Sequence, residues 1–139
     1  MSLFTASELC NAALEFHDSN VAVVKSVDGG IQISFAAAYV HRSNGSPGVD
    51  AGSGYIQAVE CVLREATWNG ALEECIGRLL DGKLKVDGRS INLVPLPFQG
   101  EGHVTFHLEF SNGAVLSVSG ASVHVYQSGP AQFVEKYAC

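Results

Sequence analysis

Residues 103–110 alternate polar and apolar without a break: Val104, Phe106, Leu108 and Phe110 stand between His103, Thr105, His107 and Glu109. Two more runs follow almost at once, Ala114, Leu116 and Val118, then Ala121, Val123 and Val125. Successive side chains of a strand point to opposite faces, so a period of two buries one face of each run. The chain is therefore expected to curl a mainly antiparallel sheet over a core. A three-residue loop at Ser111-Asn112-Gly113, with Gly113 left-handed in a bulge, sets Phe110 against Ala114, Leu108 against Leu116 and Phe106 against Val118. A two-residue loop at Asn112-Gly113 would set Glu109 against Leu116 and turn a polar group to the core, which the register rule disfavours. A turn at Ser119-Gly120 would next pair Val118 with Ala121 and Leu116 with Val123. A bulge at Gly120 within one bent strand is the alternative.

Upstream the signals are mixed. Thr5-Ala6-Ser7-Glu8 has the capping-box pattern, which predicts a helix over 6–17 with Leu9, Ala12, Ala13 and Phe16 as its apolar stripe. Three turns are marginal alone, so this helix is expected to lie on the sheet. Asp18-Ser19-Asn20 ends it, and His17 complements the negative end of its dipole. Valine-rich 21–27 reads as a strand, Asp28-Gly29-Gly30 as a hairpin turn, and 31–41 as the returning strand. Ile31, Ile33, Phe35, Ala37 and Tyr39 share one face of it. Ala36 and Ala38 on the other leave room for the helix.

Residues 43–54 form a glycine-rich loop, and 55–63 a strand paired with the previous one. Between 64 and 81 the pattern is weak. Leu72, Cys75, Ile76, Leu79 and Leu80 fit a short helix over 72–80. A second hairpin joins 83–86 to 91–94 through Asp87-Gly88, and Pro95 and Pro97 end it. The expected fold class is α+β: an N-terminal helix packed on a curved, mainly antiparallel sheet of about seven or eight strands, able to roll into an open barrel.

A chain of 139 residues is the size of one domain, here 1–139. That length buries roughly two-thirds of its unfolded surface, so neither disulfide nor metal is needed to hold it. Only 16% of residues are charged, against about 25% in an average domain. So sparse a charged exterior implies apolar surface covered by a partner, most simply a second copy of the chain, and a homodimer is expected. The net charge is −6, and no two of the eight basic residues are adjacent. Nucleic acid and anionic lipid both require basic clusters, so neither is an expected partner.

Residues 1–5 lack the basic and apolar segments of a signal peptide, and no apolar run approaches a membrane span. Cys10, Cys61, Cys75 and Cys139 are too scattered for a zinc site or a redox dithiol. They read as reduced thiols of a cytoplasmic protein, and no cofactor is called for.

Two places could carry chemistry. Tyr39-Val40-His41-Arg42-Ser43 ends a strand and feeds the glycine-rich loop, a common setting for binding groups. His41 could act as a base near neutral pH, Arg42 could hold a carboxylate or phosphate, and Asp50 could orient His41. The loop glycines do not make a phosphate-binding loop, because no Gly-Lys-Ser/Thr ending is present and a strand follows. The second place is the polar face of the C-terminal strands, with His107, His124 and Tyr126. Two imidazoles and a carboxylate are what a metal uses, but alternation alone puts polar residues there. A solvated or dimer-covered face or a polar ligand cavity is expected in preference to a metal site. Trp68, the one tryptophan, suits a core or interface anchor.

Several segments also resemble stretches of small hypothetical bacterial proteins of the environmental, mobile gene cassette type. These are Phe16-His17-Asp18, residues 38–43 with Gly48 and Gly54-Tyr55, residues 92–97, and Phe110-Ser111-Asn112-Gly113. The resemblance spans most of the chain and implies a bacterial, cytoplasmic origin. Such proteins have no established activity, so it transfers no site residue.

The function these observations favour is a non-enzymatic module, acting as a homodimer, that binds a small molecule or a protein near the 43–54 loop. The alternative is a small enzyme using His41 as general base with Arg42 and Asp50. A third reading is a structural or inhibitory partner that adds an edge strand to another protein.

Overall fold

The computed structural model describes residues 11–47 and 51–137. Among the described residues ten strands follow in order: β1 (Asn11–Val27), β2 (Gly30–Ser43), β3 (Gly52–Arg64), β4 (Thr67–Asn69), β5 (Gly77–Val86), β6 (Arg89–Ile91), β7 (Val94–Pro95), β8 (Phe98–Phe110), β9 (Val115–Gln127) and β10 (Gln132–Tyr137). Six of them, in the spatial order β2, β1, β5, β8, β9 and β3, close into an antiparallel barrel. The closing seam pairs residues 59–64 of β3 with 122–127 of β9. β10 pairs with the first part of β3, beyond that seam, while β4, β6 and β7 pair with β9, β5 and β1.

The barrel interior is filled by apolar side chains. Phe35, Phe106, Phe110, Leu14, Ile31, Ile33, Leu63, Leu79, Leu84, Leu108 and Leu116 are all fully buried. Removing water from that much apolar surface is the main favourable contribution to folding. The Phe16 and Phe106 rings pack against each other, tilted by 50°, with centroids 5.0 Å apart. It fits because the facing position is Gly82, where an added Cβ would come within 2.7 Å of Phe16.

The C-terminal register follows its alternation. Leu108 pairs with Leu116 and Phe106 with Val118. Gly113 N–H donates to Phe110 O, and Gly113 takes φ 92°, the left-handed value expected of it. The turn expected at Ser119-Gly120 is absent, because β9 runs through it as one strand. Its inward set changes parity there, from Leu116 and Val118 to Val123 and Val125. β8 carries the extra residue, taking three steps from Glu101 to Val104 where β9 takes two from Ser122 to Gly120. β9 is one continuous strand, as the alternative reading has it, but the bulge lies in β8 and not at Gly120.

The α+β assignment is overturned: the described residues are almost entirely β and contain no α-helix. The helix expected over 6–17 is strand from Asn11 onward, while Thr5 and Glu8 lie outside the described residues. The physical reason is Leu14. It falls off the helical stripe, yet Ala12, Leu14 and Phe16 form a period-two set that faces the core. Partners on both edges of β1 then decide for strand, since tertiary context routinely overrides local propensity.

The helix expected over 72–80 is likewise absent. Leu72–Glu74 makes one 3-10 turn, and Gly77, at φ 99°, opens β5. Ala36 and Ala38 therefore accommodate no helix. β2 keeps Ile31, Ile33 and Phe35 inward, but an extra residue between Phe35 and Ala38 reverses its parity. Ala38 and Val40 are then inward, and Tyr39 and His41 point out.

Candidate functional site

The bulge in β2 faces a larger one in β1. Glu15 pairs with Tyr39, yet Asn20 pairs with Ala37, so β1 takes five steps where β2 takes two. The surplus residues push His17 and Asp18 out of the ladder, and Asp18 adopts φ 69°, a left-handed value uncommon outside glycine. Buried Ser19 replaces the lost ladder bonds. Its hydroxyl donates to Glu15 O at 2.6 Å and accepts from Tyr39 N–H at 2.9 Å. Bulges of this kind re-aim side chains and are over-represented beside active sites.

A cleft of about 240 Å³ opens here on the outer wall, lined by Glu15, His17, Asp18, Tyr39, His41 and Glu135. The residues come from β1, β2 and β10. Glu15 Oε1 lies 2.5 Å from His41 Nε2, and the His41 side chain is only 12% exposed. The Tyr39 hydroxyl donates to Glu135. His41 and Glu135 both pair with Gly54 of β3, from opposite sides. That row therefore has no side chain at its centre, which leaves space between the two. Asp18 contacts the His17 ring at 3.2 Å and accepts from Arg78 Nε at 3.0 Å. Three carboxylates thus face one guanidinium, which Asp18 already engages.

Tyr39 and His41 come together as the sequence suggests, with ring centroids 5.2 Å apart. Arg42 does not join them, because the strand pleat turns it to the other face. There its guanidinium lies over the Tyr55 ring at 5.3 Å and donates to Gln57 Oε1. Asp50 lies outside the described residues. The partner of His41 is instead Glu15, which the helical reading of 6–17 conceals. The signal that reveals it is the alternation of Leu14, Glu15, Phe16 and His17. His17, read as a helix cap, is part of the bulge.

The second candidate face splits into separate places. His107 pairs opposite Ser117, with Nδ1 2.9 Å from its hydroxyl, and lies 3.4 Å from Glu109. His124 is seven residues further along β9, roughly 20 Å at the rise of a strand, and contacts the Tyr126 ring. Among the described residues no group of three or more His, Cys, Asp or Glu could hold a metal ion. Trp68 is half-buried against the core from β4.

Cys61 and Cys75 are buried free thiols. Burial pushes both up from the ordinary thiol value, Glu60 adding to it at Cys61 and Glu74 and Glu73 at Cys75. Neither is a nucleophile at neutral pH. Among the described residues no helix is long and apolar enough to cross a membrane.

The chain matches no protein-family model, no curated protein and no solved structure.

Proposed function

We propose that the protein is a non-enzymatic binding module that takes a small cationic molecule in the cleft at the β1 bulge. The observation that carries this reading is the convergence of Glu15, Asp18 and Glu135 with Tyr39 and His41 around one recess. A primary amine brings three donors to such acceptors, and the Tyr39 ring adds a face for cation–π contact. Enzymatic use of His41 is the second reading. It rests on the Glu15 contact, the arrangement by which a carboxylate orients an imidazole, with Arg42 turned away from it.

Isothermal titration with putrescine tests the first reading. Saturable binding that weakens with added salt, and weakens at least threefold in Glu135→Gln, is the expected result. Equal binding of butane-1,4-diol, or no saturable binding of putrescine, overturns it.

The module acts as a cytoplasmic homodimer on this reading. Its support is the low charge content together with β10, which ends the sheet path and exposes Phe133 at 55% and Val134 at 47%. Reduced buried thiols suit a cytoplasmic compartment. Light scattering after size exclusion should return twice the 14.7 kDa chain mass. A single species of 14.7 kDa at high concentration overturns the dimer.

A further inference from the structure

A second cleft lies on the outer wall at the far end of β3, eight residues along that strand from Ile56, the partner of Tyr39. Its construction can be read from the register. Arg64 of β3 pairs with Ser122 of β9, and Ser122 pairs on its other side with Glu101 of β8. Two residues along β9, His124 pairs with Gln99. The polar row Arg64–Ser122–Glu101 and the polar pair His124–Gln99 therefore stand side by side, with Val62 completing the second row on β3. Gly100 and Val123, paired between them, line the recess, whose volume is about 300 Å³.

These five polar side chains differ from those of the first cleft. Glu15, Asp18, Tyr39, His41 and Glu135 are all engaged with one another or with neighbours. Arg64, Gln99, Glu101, Ser122 and His124 make no side-chain hydrogen bond or ion pair within the described structure. They present free donors and acceptors to one space.

We propose that this cleft binds a neutral, hydroxyl-rich ligand, a saccharide unit. The charges select that class. Arg64 and Glu101 occupy one row with Ser122 between them, so their strands stand two inter-strand spacings apart, about 10 Å. They do not neutralise each other. A simple anion attracted by Arg64 meets Glu101, and a simple cation attracted by Glu101 meets Arg64. An α-amino acid carries both charges on one carbon, too close together to satisfy both ends of the row.

A sugar ring needs donors and acceptors in alternation around its edge. The cleft supplies them: a donor fork from Arg64, acceptors from Glu101, and groups of both kinds from Gln99, Ser122 and His124. Beside the cleft on β9 the Tyr126 ring lies 4.8 Å from the His124 ring and is tilted 42° to it. The His124 ring at the edge of the cleft suits contact with the C–H face of a pyranose. This inference shares no residue with the amine site, so either can fail without the other.

The test is a titration of the full-length protein, labelled for amide NMR, with maltose, cellobiose and lactose at millimolar concentrations. At least one sugar should shift the amide signals of Gly100, Ser122 and Val123. Arg64→Ala and Gln99→Ala should each weaken that binding by about tenfold, the loss expected for a hydrogen bond with a charged or bidentate partner. Both side chains are exposed, so neither change threatens the fold. The inference is overturned by no shift with any of the three sugars. Shifts that survive both substitutions, or larger shifts at the same amides with glutamate or putrescine, overturn it equally.

Discussion

Glu15 reaches His41 diagonally across the β1–β2 ladder, while the residue directly opposite it is Tyr39. The diagonal leaves the Tyr39 hydroxyl to turn the other way and donate to Glu135. One strand pair thereby recruits a third strand, β10, into the wall of the cleft. A contact between partly buried polar groups contributes about 1 kcal/mol net. A double-mutant cycle of Glu15→Ala and His41→Ala, read by urea denaturation, should return a coupling energy of about that size. Additive effects of the two substitutions would mean that the pair does not form in solution.

Ser19 holds the bulge in shape without touching the cleft. Its buried hydroxyl serves Glu15 O and Tyr39 N–H together. Ser19→Ala strands both backbone groups away from water, which costs about 1–3 kcal/mol. The same change should weaken putrescine binding, because Glu15 and Tyr39 lose their common tether. Urea denaturation and calorimetry on one variant measure both effects. Full affinity in a destabilised Ser19→Ala protein would separate the bulge from the site.

The legible part of this fold is the part where periodicity is undisturbed. From Val104 to Val118 the inward residues alternate strictly, and one loop length satisfies them all, so the register follows residue by residue. The sequence becomes ambiguous wherever a bulge changes the parity. Ala37 and Tyr39 read as inward because nothing local marks the extra residue after Phe35. In β1, Ala12, Ala13 and Phe16 satisfy a helical spacing while Ala12, Leu14 and Phe16 satisfy a strand, and the neighbouring strands decide between them. The site suffers the same limit. Tyr39 and His41 share a face by their spacing of two, but the bulge that turns that face outward leaves no local mark, and their partners Glu15 and Glu135 are 26 and 94 residues away from His41 in sequence. A register that depends on two facing bulges is a long-range property, which no short window contains.

Gly82 faces Phe16 inside the barrel wall, where a Cβ would meet the Phe16 Cβ and Cγ at 2.7 Å. Phe16 cannot retreat, since Phe106 and Phe35 pack against its ring. Overpacking of this kind costs about 1–3 kcal/mol. Gly82→Ala should lower the urea midpoint without changing the slope of the transition, whereas Gly88→Ala meets open space and suffers only from its φ of 80°. Equal midpoints for wild type and Gly82→Ala would show that β1 and β5 do not approach so closely.

Cys61 lies fully inside the wall between Ile33 and Val125, its partners on β2 and β9. Burial, and secondarily the Glu60 carboxylate, raises its thiol far above the ordinary value of 9.0. In the unfolded chain the same thiol ionises near that ordinary value. Above it the folded state therefore holds a proton that the unfolded state has released. Stability from this group is fully present below pH 9.0 and falls as pH rises beyond it. The slope for one such group is about 1.4 kcal/mol per pH unit. Cys61→Val keeps the site apolar and removes the titration. Urea denaturation from neutral pH into the alkaline range should show a smaller alkaline loss of stability in Cys61→Val than in the wild type, by about that slope. Identical alkaline profiles for the two proteins would place the thiol in contact with water.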